Sequence, residues 1–592
     1  MHILGISCSY NDSAACILKD GIIEAAAQEE RFTRRENDPA FPAEAVEYCL
    51  EEAGIEADEL DYVAFHEKPL RAFKRVLRAY LDASPKGLRS WLRTMPYWLG
   101  RKLSFSKAIR REIGYKGQIL FSGHQESHAA SAFYPSPFDE AAVLVVDGAG
   151  EWATSSYGEG VGNKIILRSE LRFPDSLGLL YSAFTRFTGF AVNSGELELM
   201  ALAPFGRPVY RDLIMEELID LKEDGSIRLN PDYFDVLGGL CVTNKRFDRL
   251  FGGPPRRPRG AITRREADIA ASIQSVTEEA VLRMSRHVRR ETGLRYLCLA
   301  GDLALNSSVN GRLLREGSFE GVWVQPAAGD AGGALGAAFW VWYGFLGNPR
   351  IAETESDSMQ GSYLGPSFSS DKVLDFLDVK RCPCIRLEGP EKSRIVAEQI
   401  AAGKIVGYMA GRMEFGPNAL GARSILGDPR KAETRSAINV KVKSREPFRP
   451  LGLTVLEERA SDYFELETPS PYMLFSVALK GERGLSPGEN REERTKGGLD
   501  VGGSDFPAVA GPDCSAVIQS VNRRINPGYY DVIKAFEQIT GCPLVVNAGF
   551  SMRGEPIVCT PDDAYRCFMR TGMDVLVMED CILFKEEQPR RR

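Results

Sequence analysis

Histidine is scarce in this chain, with five in 592 residues. Any site that uses imidazole must draw on that handful. The twelve cysteines form no CxxC pair, and the nearest two, Cys382 and Cys384, have one residue between them. That argues against a zinc ribbon and against a disulfide framework. Reduced thiols and a cytoplasmic location are the expectation. No apolar run reaches the ~20 residues that a membrane span needs, so no membrane association is expected. The opening "MHILGISCSY" has neither a basic n-region nor a cleavage site, so no signal peptide is expected. Positive charge is not in excess: the formal net charge is −7, which points away from nucleic acid as the partner. Internal repeats and low-complexity tracts are not detectable in the sequence.

What is present suits a globular protein, with 44% hydrophobic and 26% charged residues. The length suggests about two to four domains. The start, "ILGISCSYNDSAACILKDGIIEAAAQEERF", reads as short strands broken at "SYNDS" and "KDG". A similar unit follows at "AAVLVVDGAGEWATSSYGEG", where a buried-looking strand meets an Asp-Gly turn. Both units resemble the phosphate-gripping hairpins of actin-like ATPases, where turn N–H groups face phosphate and a carboxylate manages a cation or water. Between them, residues 64–115 are helical in pattern, basic and rich in aromatics. They read as solvated helix faces with aromatics turned inward, the alternative being a polyanion or membrane surface. Residues 262–345 alternate helix and strand, and the polar stretch 352–371 marks a domain boundary. The remainder, from about 373 to 592, is long enough for its own core.

His124 and His128 are four apart, which places both on one face of a helix with their Cβ atoms about 5–6 Å apart. That spacing suits two imidazoles on one cation, although a cap and a core residue show it too. Gln125 follows His124, so this is not the HExxH of a metallopeptidase. Asp147, at a strand end, and Asp330, in the glycine-rich "AAGDAGGALGAA", are the candidate carboxylates. Two His and two Asp suit Fe, Mn or Zn without choosing among them. The glycine-rich segment reads as a loop opening a helix, with N–H groups available to phosphate.

The segments "GISCSYNDSAACIL", "AAQEERFTR", "HQESHAASAFYPSPF", "VDGAGEWATSSYG", "NSGELELMALAPFG" and "GDAGGALGAA" resemble the nodulation-protein/antibiotic O-carbamoyltransferase family. So do "GRMEFGPNALGARSILGDPR", "INVKVKSREPFRP" and "GEPIVCTPDDA" in the second half. The resemblance runs in order through nearly the whole chain. It implies an α/β protein with an actin-like (ASKHA) domain over 1–355, related to tRNA threonylcarbamoyl-transfer enzymes. A linker at 356–372 and a YrdC-like carbamoyl-adenylating domain over 373–592 would follow. The implied activity makes carbamoyl adenylate from carbamoyl phosphate and ATP, with Mg2+ accompanying ATP. The carbamoyl group then passes to a hydroxyl or amine of a small-molecule acceptor, such as a sugar or other natural product.

The resemblance also implies residue roles. His124, His128, Asp147 and Asp330 would hold the metal, Fe2+ first, with Mn2+ or Zn2+ as alternatives. Gly148, Gly301 and Asn306 would line the nucleotide. Arg423, Lys443, Arg445 and Arg449 would grip phosphates, and Asn547 would sit in the adenylate pocket. Glu29, Glu30, Arg31, Asn193 and Glu196 would lie on the acceptor side.

Several positions depart from the family pattern. Asn11 stands where the family has the histidine suited to deprotonate the acceptor; an amide does not titrate near neutrality, so Asp12 is left as the candidate base. Gly549 lacks a hydroxyl, Val517 an arginine, Gly511 a histidine and Asn418 an arginine; Glu198 replaces a lysine and Asp302 a glycine. These changes thin the adenylate-forming pocket and leave the metal quartet intact. They keep open a diverged paralogue with another donor or acceptor, or a non-catalytic nucleotide-binding partner subunit. A homodimer is the default expectation for a soluble enzyme.

Overall fold

The two sequence units with an aspartate at a turn are the openings of two structurally equivalent halves. In the first, β1 (His2–Ser7), β2 (Ala14–Lys19) and β3 (Ile22–Gln28) form an antiparallel meander. The β2–β3 turn has positive φ at both Asp20 and Gly21, the backbone that an Asp-Gly hairpin turn requires. Helix Ala43–Ala53 leads to β4 (Tyr62–Phe65), parallel to β1. Basic helices lead on to β5 (Gln118–Phe121), parallel to β4, and helix His124–Phe133 closes the half.

The second half repeats this connectivity. β6 (Glu140–Val146), β7 (Ala153–Val161) and β8 (Lys164–Arg172) form the meander. An insertion carries two small hairpins, β9 (Ile219–Leu221) with β10 (Ile227–Leu229) and β11 (Phe234–Leu237) with β12 (Leu240–Thr243). After helix Arg264–Thr292 comes β13 (Tyr296–Ala300), parallel to β6. Helix Ser307–Glu316, β14 (Gly321–Val324) and helix Asp330–Phe339 complete the half. The strand orders are β3-β2-β1-β4-β5 and β8-β7-β6-β13-β14. This doubled arrangement is the actin-like architecture. The sequence shows no repeat because only connectivity is shared, and different apolar residues fill the two cores.

The computed structural model describes residues 1–9, 11–82, 84, 88–100, 105–237, 240–353, 356–480, 505–509 and 511–589. Two compact units are formed, Met1–Glu29 with Asn37–Ser358, and Glu30–Glu36 with Met359–Arg592. The short peptide Glu30–Glu36 thus folds with the C-terminal unit, which a boundary drawn along the sequence cannot express. Its Phe32 packs against Met413, Ala419, Ile557 and Cys559. Arg34 donates to the Ile557 and Pro556 carbonyls, both at 2.7 Å.

The second unit is built on one nine-stranded mixed sheet. Its strands are β15 (Ile385–Arg386), β16 (Val406–Met409), β17 (Arg423–Gly427), β18 (Gly452–Leu456), β19 (Phe475–Ala478), β20 (Ser515–Val521), β21 (Leu544–Gly549), β22 (Val575–Met578) and β23 (Cys581–Phe584). Their order is β15-β23-β22-β16-β17-β21-β18-β20-β19, with helices Gly389–Ala401 and Pro527–Thr540 among those that accompany it. This is a second α/β unit, the class that the sequence leads one to expect for this part of the chain.

The basic segment folds as helices Pro69–Asp82, Leu88–Gly100 and Phe105–Ile113; positions 83, 85–87 and 101–104 lie outside the described residues. Ala72, Val76, Tyr80, Met95 and Trp98 form a buried cluster, with Phe73 and Trp91 against it. Phe73, Tyr80, Trp91 and Trp98 therefore serve packing. Among the described residues, no helix is long and apolar enough to cross a membrane.

The closing helices of the two halves pack in close contact. A Cβ on Gly336 would lie 1.8 Å from the Ser127 carbonyl oxygen, and one on Gly5 would lie 2.0 Å from that of Ala334. Gly336→Ala should therefore destabilise the protein by about 1–3 kcal/mol, although alanine is the better helix former. A lowered urea midpoint would show this; an unchanged or raised midpoint would show that the helices part freely.

Candidate active site

In the first unit, the candidate residues lie at the carboxyl ends of the parallel strands, where α/β sheets commonly bind ligands. Asp147 follows β6, and Asn11 and Asp12 follow β1. His124 and Asp330 each occupy the first position of the helix that closes their half. His128 is one turn further into its helix. The doubled fold thus brings His124 and Asp330 together from equivalent places.

His124, His128, Asp147 and Asp330 are all buried. His124 Nε2 lies 2.8 Å from Asp147 Oδ2, and His128 Nε2 lies 3.8 Å from the same oxygen. One ligand atom from each of His124, His128 and Asp147 falls within 4.8 Å of the others. Asp330 does not join that triangle. It forms a second one, within the same limit, with His124 and His66. The expected quartet is therefore two triangles sharing His124, and sequence reasoning missed His66. The available signal was the scarcity of histidine itself.

Electrostatics at the cluster favour a cation. Burial opposes charge on His124, but the hydrogen bond and charge of Asp147, with Asp330 and Glu67, prevail and raise its pKa to about 9. His128 falls to about 4 because burial and the neighbouring His124 both oppose its protonation. Burial pushes Asp330 up to about 6; His124 counters this and Asp147 adds to it. Asp147 is held below the usual carboxylate range because its partners, His124 first, outweigh its burial. Asp302 follows β13. Solvent reaches its side chain, yet crowding by surrounding protein and the charges of Asp147, Asp330, Asp12 and Glu196 push its carboxyl well up. The buried His128 Nε2 accepts or donates no hydrogen bond among the described residues. An orphaned imidazole nitrogen beside clustered carboxylates fits a divalent cation.

The other expected residues of this unit have distinct surroundings. A Cβ on Gly148 would meet nothing within 4 Å, so open space lies over the strand end beside Asp147. Gly301, with φ of +89°, has a different reason to be glycine: its Cβ would lie 2.3 Å from the Val146 carbonyl oxygen. Asn306 caps helix Ser307–Glu316 through the Val309 N–H at 3.1 Å and exchanges hydrogen bonds with Gln274. Its side chain is engaged in structure. Asn11 donates its backbone N–H to Asp330 Oδ2 at 3.4 Å and accepts from Asn193 Nδ2 at 3.0 Å. Asn11 and Asn193 thus meet beside the carboxylates. Glu196 accepts from Ser182 Oγ at 2.8 Å, and burial raises its pKa. Glu29 accepts from the Ala45 N–H at 2.8 Å, at the start of helix Ala43–Ala53. Glu30 and Arg31 belong to the second unit, where Arg31 lies 3.2 Å from Glu30 and donates to the Gly416 carbonyl at 2.8 Å.

The second unit gathers cations. Lys443 is buried and its Nζ lies 3.1 Å from Ser551 Oγ. Burial, then the charge of Arg445, lowers its pKa to about 7. Arg445 and Arg449 both fall to about 10, through burial first, with Arg553 also acting on Arg449. Arg445 Nε donates to Asn439 Oδ1 at 2.8 Å, and Arg449 Nε to Glu446 Oε2 at 3.1 Å. Burial is the first cause in each case, and cations held this way are candidates to meet an anion. The hydroxyl absent at Gly549 is supplied beside Lys443 by Ser551, two residues on.

Arg423 is fully buried, and its guanidinium donates to the Gly411, Ala422 and Pro366 carbonyls, each at 3.0 Å. These bonds tie the loops of Gly411, Ala422 and Pro366 together. Asn418 likewise donates to the Tyr472 and Met473 carbonyls, at 3.1 and 3.3 Å. Asn547 donates to Ala419 O, Thr454 Oγ1 and Gln519 Oε1, and its buried Oδ1 has no partner among the described residues.

Comparison with known proteins agrees with this two-unit organisation. The profile of the carbamoyltransferase N-terminus matches residues 2–339, and that of the carbamoyltransferase C-terminus matches residues 397–585. The nodulation protein NolNO of Sinorhizobium fredii is 33% identical, covering 97% of this chain and 79% of its own. The nodulation protein NolO of Bradyrhizobium diazoefficiens is 36% identical over 77% of each chain. An uncharacterised protein of Synechocystis sp. is 52% identical over 100% of this chain and 98% of its own. Among solved structures, HypF of T. kodakarensis is 14% identical with a TM-score of 0.31, covering 58% of this chain and 48% of its own. The chain belongs to the carbamoyltransferase family, and the protein is a transferase.

Arg423→Ala would leave three carbonyls without their donor inside the second unit. It should lower stability by about 3 kcal/mol or more. A urea or thermal melt checks this; unchanged stability would show that these three bonds do not hold the loops.

Proposed function

We propose that the protein activates a carbamoyl group with ATP in its second unit and transfers it to a small-molecule hydroxyl or amine in its first. The observation that supports this best is the opposite character of the two clusters. Lys443, Arg445 and Arg449 suit phosphate-bearing substrates, while the His–Asp cluster suits a divalent cation.

Activation balances in two steps. Water attacks carbamoyl phosphate, giving carbamate and inorganic phosphate. A carbamate oxygen then attacks the α-phosphorus of ATP; carbamoyl adenylate forms and pyrophosphate leaves. Lys443, Arg445 and Arg449 bring anionic reactants together and stabilise charge developing on phosphate oxygens. Asn547 is a candidate to orient the adenylate through its unpartnered Oδ1.

Transfer breaks the carbamoyl–phosphate bond and forms a carbamoyl–oxygen or carbamoyl–nitrogen bond, with AMP as leaving group. His124, His128, Asp147 and Asp330 would hold the cation, which supplies Lewis-acid polarisation of the carbamoyl carbonyl. Fe2+ is the first choice for this donor set, with Mn2+ or Zn2+ as alternatives. The open space over Gly148 leaves room for a ligand beside Asp147. Asp12 takes the acceptor's proton, because its neighbour Asn11 has no titratable group and is engaged with Asn193. The loss of an imidazole at Asn11 also favours a second reading, a partner subunit that binds nucleotide without performing transfer.

Protein loaded with a divalent metal and given carbamoyl phosphate and ATP should produce carbamoyl adenylate, by mass spectrometry, and pyrophosphate, without any acceptor. Lys443→Ala and Arg449→Ala should each reduce the rate by about 10²-fold or more. Absence of both products from folded, metal-bound protein would overturn autonomous activation and leave the partner-subunit reading.

The lowered pKa of Lys443 gives a pH prediction. Lys443 carries its charge below about 7 in the free protein and loses it above. The KM for carbamoyl phosphate should therefore rise as pH increases through 7, and Lys443→Arg should flatten that rise. Stability moves the other way. Between the folded pKa of about 7 and the unfolded value of 10.5, the unfolded chain binds the proton more readily, so this group's contribution to stability rises with pH. A urea series and a KM series across that window would separate the two effects.

A further inference from the structure

We propose that His66 is an additional ligand of the metal centre, bound to the same divalent cation as His124 and Asp330. This rests on the reading of the His124–Asp147 cluster as a metal site. Three of the chain's five histidines converge there from separate elements. His66 leaves the end of β4, which pairs with β1 as β13 pairs with β6, so its place in the first half matches that of Gly301 and Asp302 in the second. The doubled fold thus delivers a ligand-bearing strand end from each half to one mouth.

The geometry is that of a built site. His66 is 1% exposed. Its ring centroid lies 5.6 Å from that of His124, and one of its nitrogens lies within 4.8 Å of ligand atoms of both His124 and Asp330. The ring is held on several sides. Phe65 stands edge-on to it at 4.8 Å, and a Cβ on Gly333 would come within 3.2 Å of the His66 Cβ. The His66 N–H donates to the Ile6 carbonyl at 3.2 Å, and the His66 carbonyl accepts from Ser127 Oγ at 3.0 Å. Ser127 lies between His124 and His128 on their helix, so the backbone that carries His66 is tied to the backbone that carries the other two imidazoles.

The charge balance agrees. Asp147 and Asp330 already neutralise a divalent cation, and a third neutral imidazole adds a donor without adding charge. Nitrogen-rich donor sets favour first-row transition metals over Mg2+, which prefers oxygen and water. His66 would therefore sharpen the choice of metal as well as strengthen its binding.

The test uses the full-length protein stripped of metal and titrated anaerobically with Co2+ and with Mn2+, by calorimetry and by the Co2+ absorption spectrum. His66→Ala, His66→Gln and His124→Ala are compared with the wild type, after circular dichroism shows that each metal-free variant is folded. The expected result is a Co2+ affinity about 10–100-fold weaker in both His66 variants, with a changed Co2+ spectrum and a smaller change for Mn2+. His124→Ala should lose Co2+ binding altogether. If His124→Ala abolishes binding while both His66 variants keep the wild-type affinity and spectrum, His66 is not a ligand and the inference falls. If the wild type binds neither metal, or His124→Ala binds like the wild type, the underlying metal reading falls instead. If His66→Ala fails to fold, His66→Gln carries the comparison, because glutamine keeps much of the bulk and offers a weaker donor.

Discussion

The first unit is organised around one charge problem: carboxylates crowded at the ends of two sheets with imidazoles as their nearest partners. Asp147 receives its strongest support from His124, 2.8 Å away, and that contact couples the two halves of the fold because His124 closes the first half while Asp147 opens the second. In the cation-free protein a proton on His124 offsets part of the negative charge. The proposed divalent cation would offset more of it and leave the imidazole nitrogen free to coordinate. The close packing around Gly336 and Ser127 makes this arrangement reproducible, since the helices that present His124 and Asp330 are fixed against each other by backbone contact. Ligand geometry set by rigid elements is what a metal centre requires.

The second unit solves the mirror problem. Lys443, Arg445 and Arg449 are pushed towards their neutral forms chiefly by burial, with Arg445 acting on Lys443 and Arg553 on Arg449, which costs stability. Under the proposed function, phosphate-bearing substrates would relieve that cost, and binding would be driven by charges that folding has already assembled. Electrostatics prepared in advance act on the reaction without further reorganisation.

Much of this was legible in the sequence, for identifiable reasons. The His124–His128 pair was readable because helical spacing places i and i+4 on one face. The Asp20–Gly21 turn was readable because few residues adopt positive φ at low cost. The pairing of Asp330 with His66 was not legible, since 264 positions separate them and only the two sheets bring them together. The repeat was hidden because connectivity leaves no trace in residue identity. The surroundings of Arg423 were not legible either: motif reasoning sees a guanidinium and cannot see the three carbonyls to which it donates.

The departures from the family pattern also change meaning once seen in three dimensions. Gly549 lacks a hydroxyl, yet Ser551 places one beside Lys443. Asn11 lacks a titratable group, yet it binds Asn193 and offers its backbone N–H to Asp330, and so helps to order the carboxylate end of the His–Asp cluster. Asp302, in place of a glycine, adds a further carboxyl near Asp147 and Asp330, pushed towards its neutral form by its surroundings and by their charges. Each substitution alters how a charge is held, and none removes the charge cluster to which it belongs. A chain drifting towards a purely structural role would be free to replace buried charges by apolar residues, which is often neutral or favourable for stability. Here the buried His–Asp cluster and the partly buried Lys–Arg cluster are both present at a standing electrostatic cost. A cation and an anionic substrate would offset that cost, which is the physical argument for the proposal that both units act on ligands.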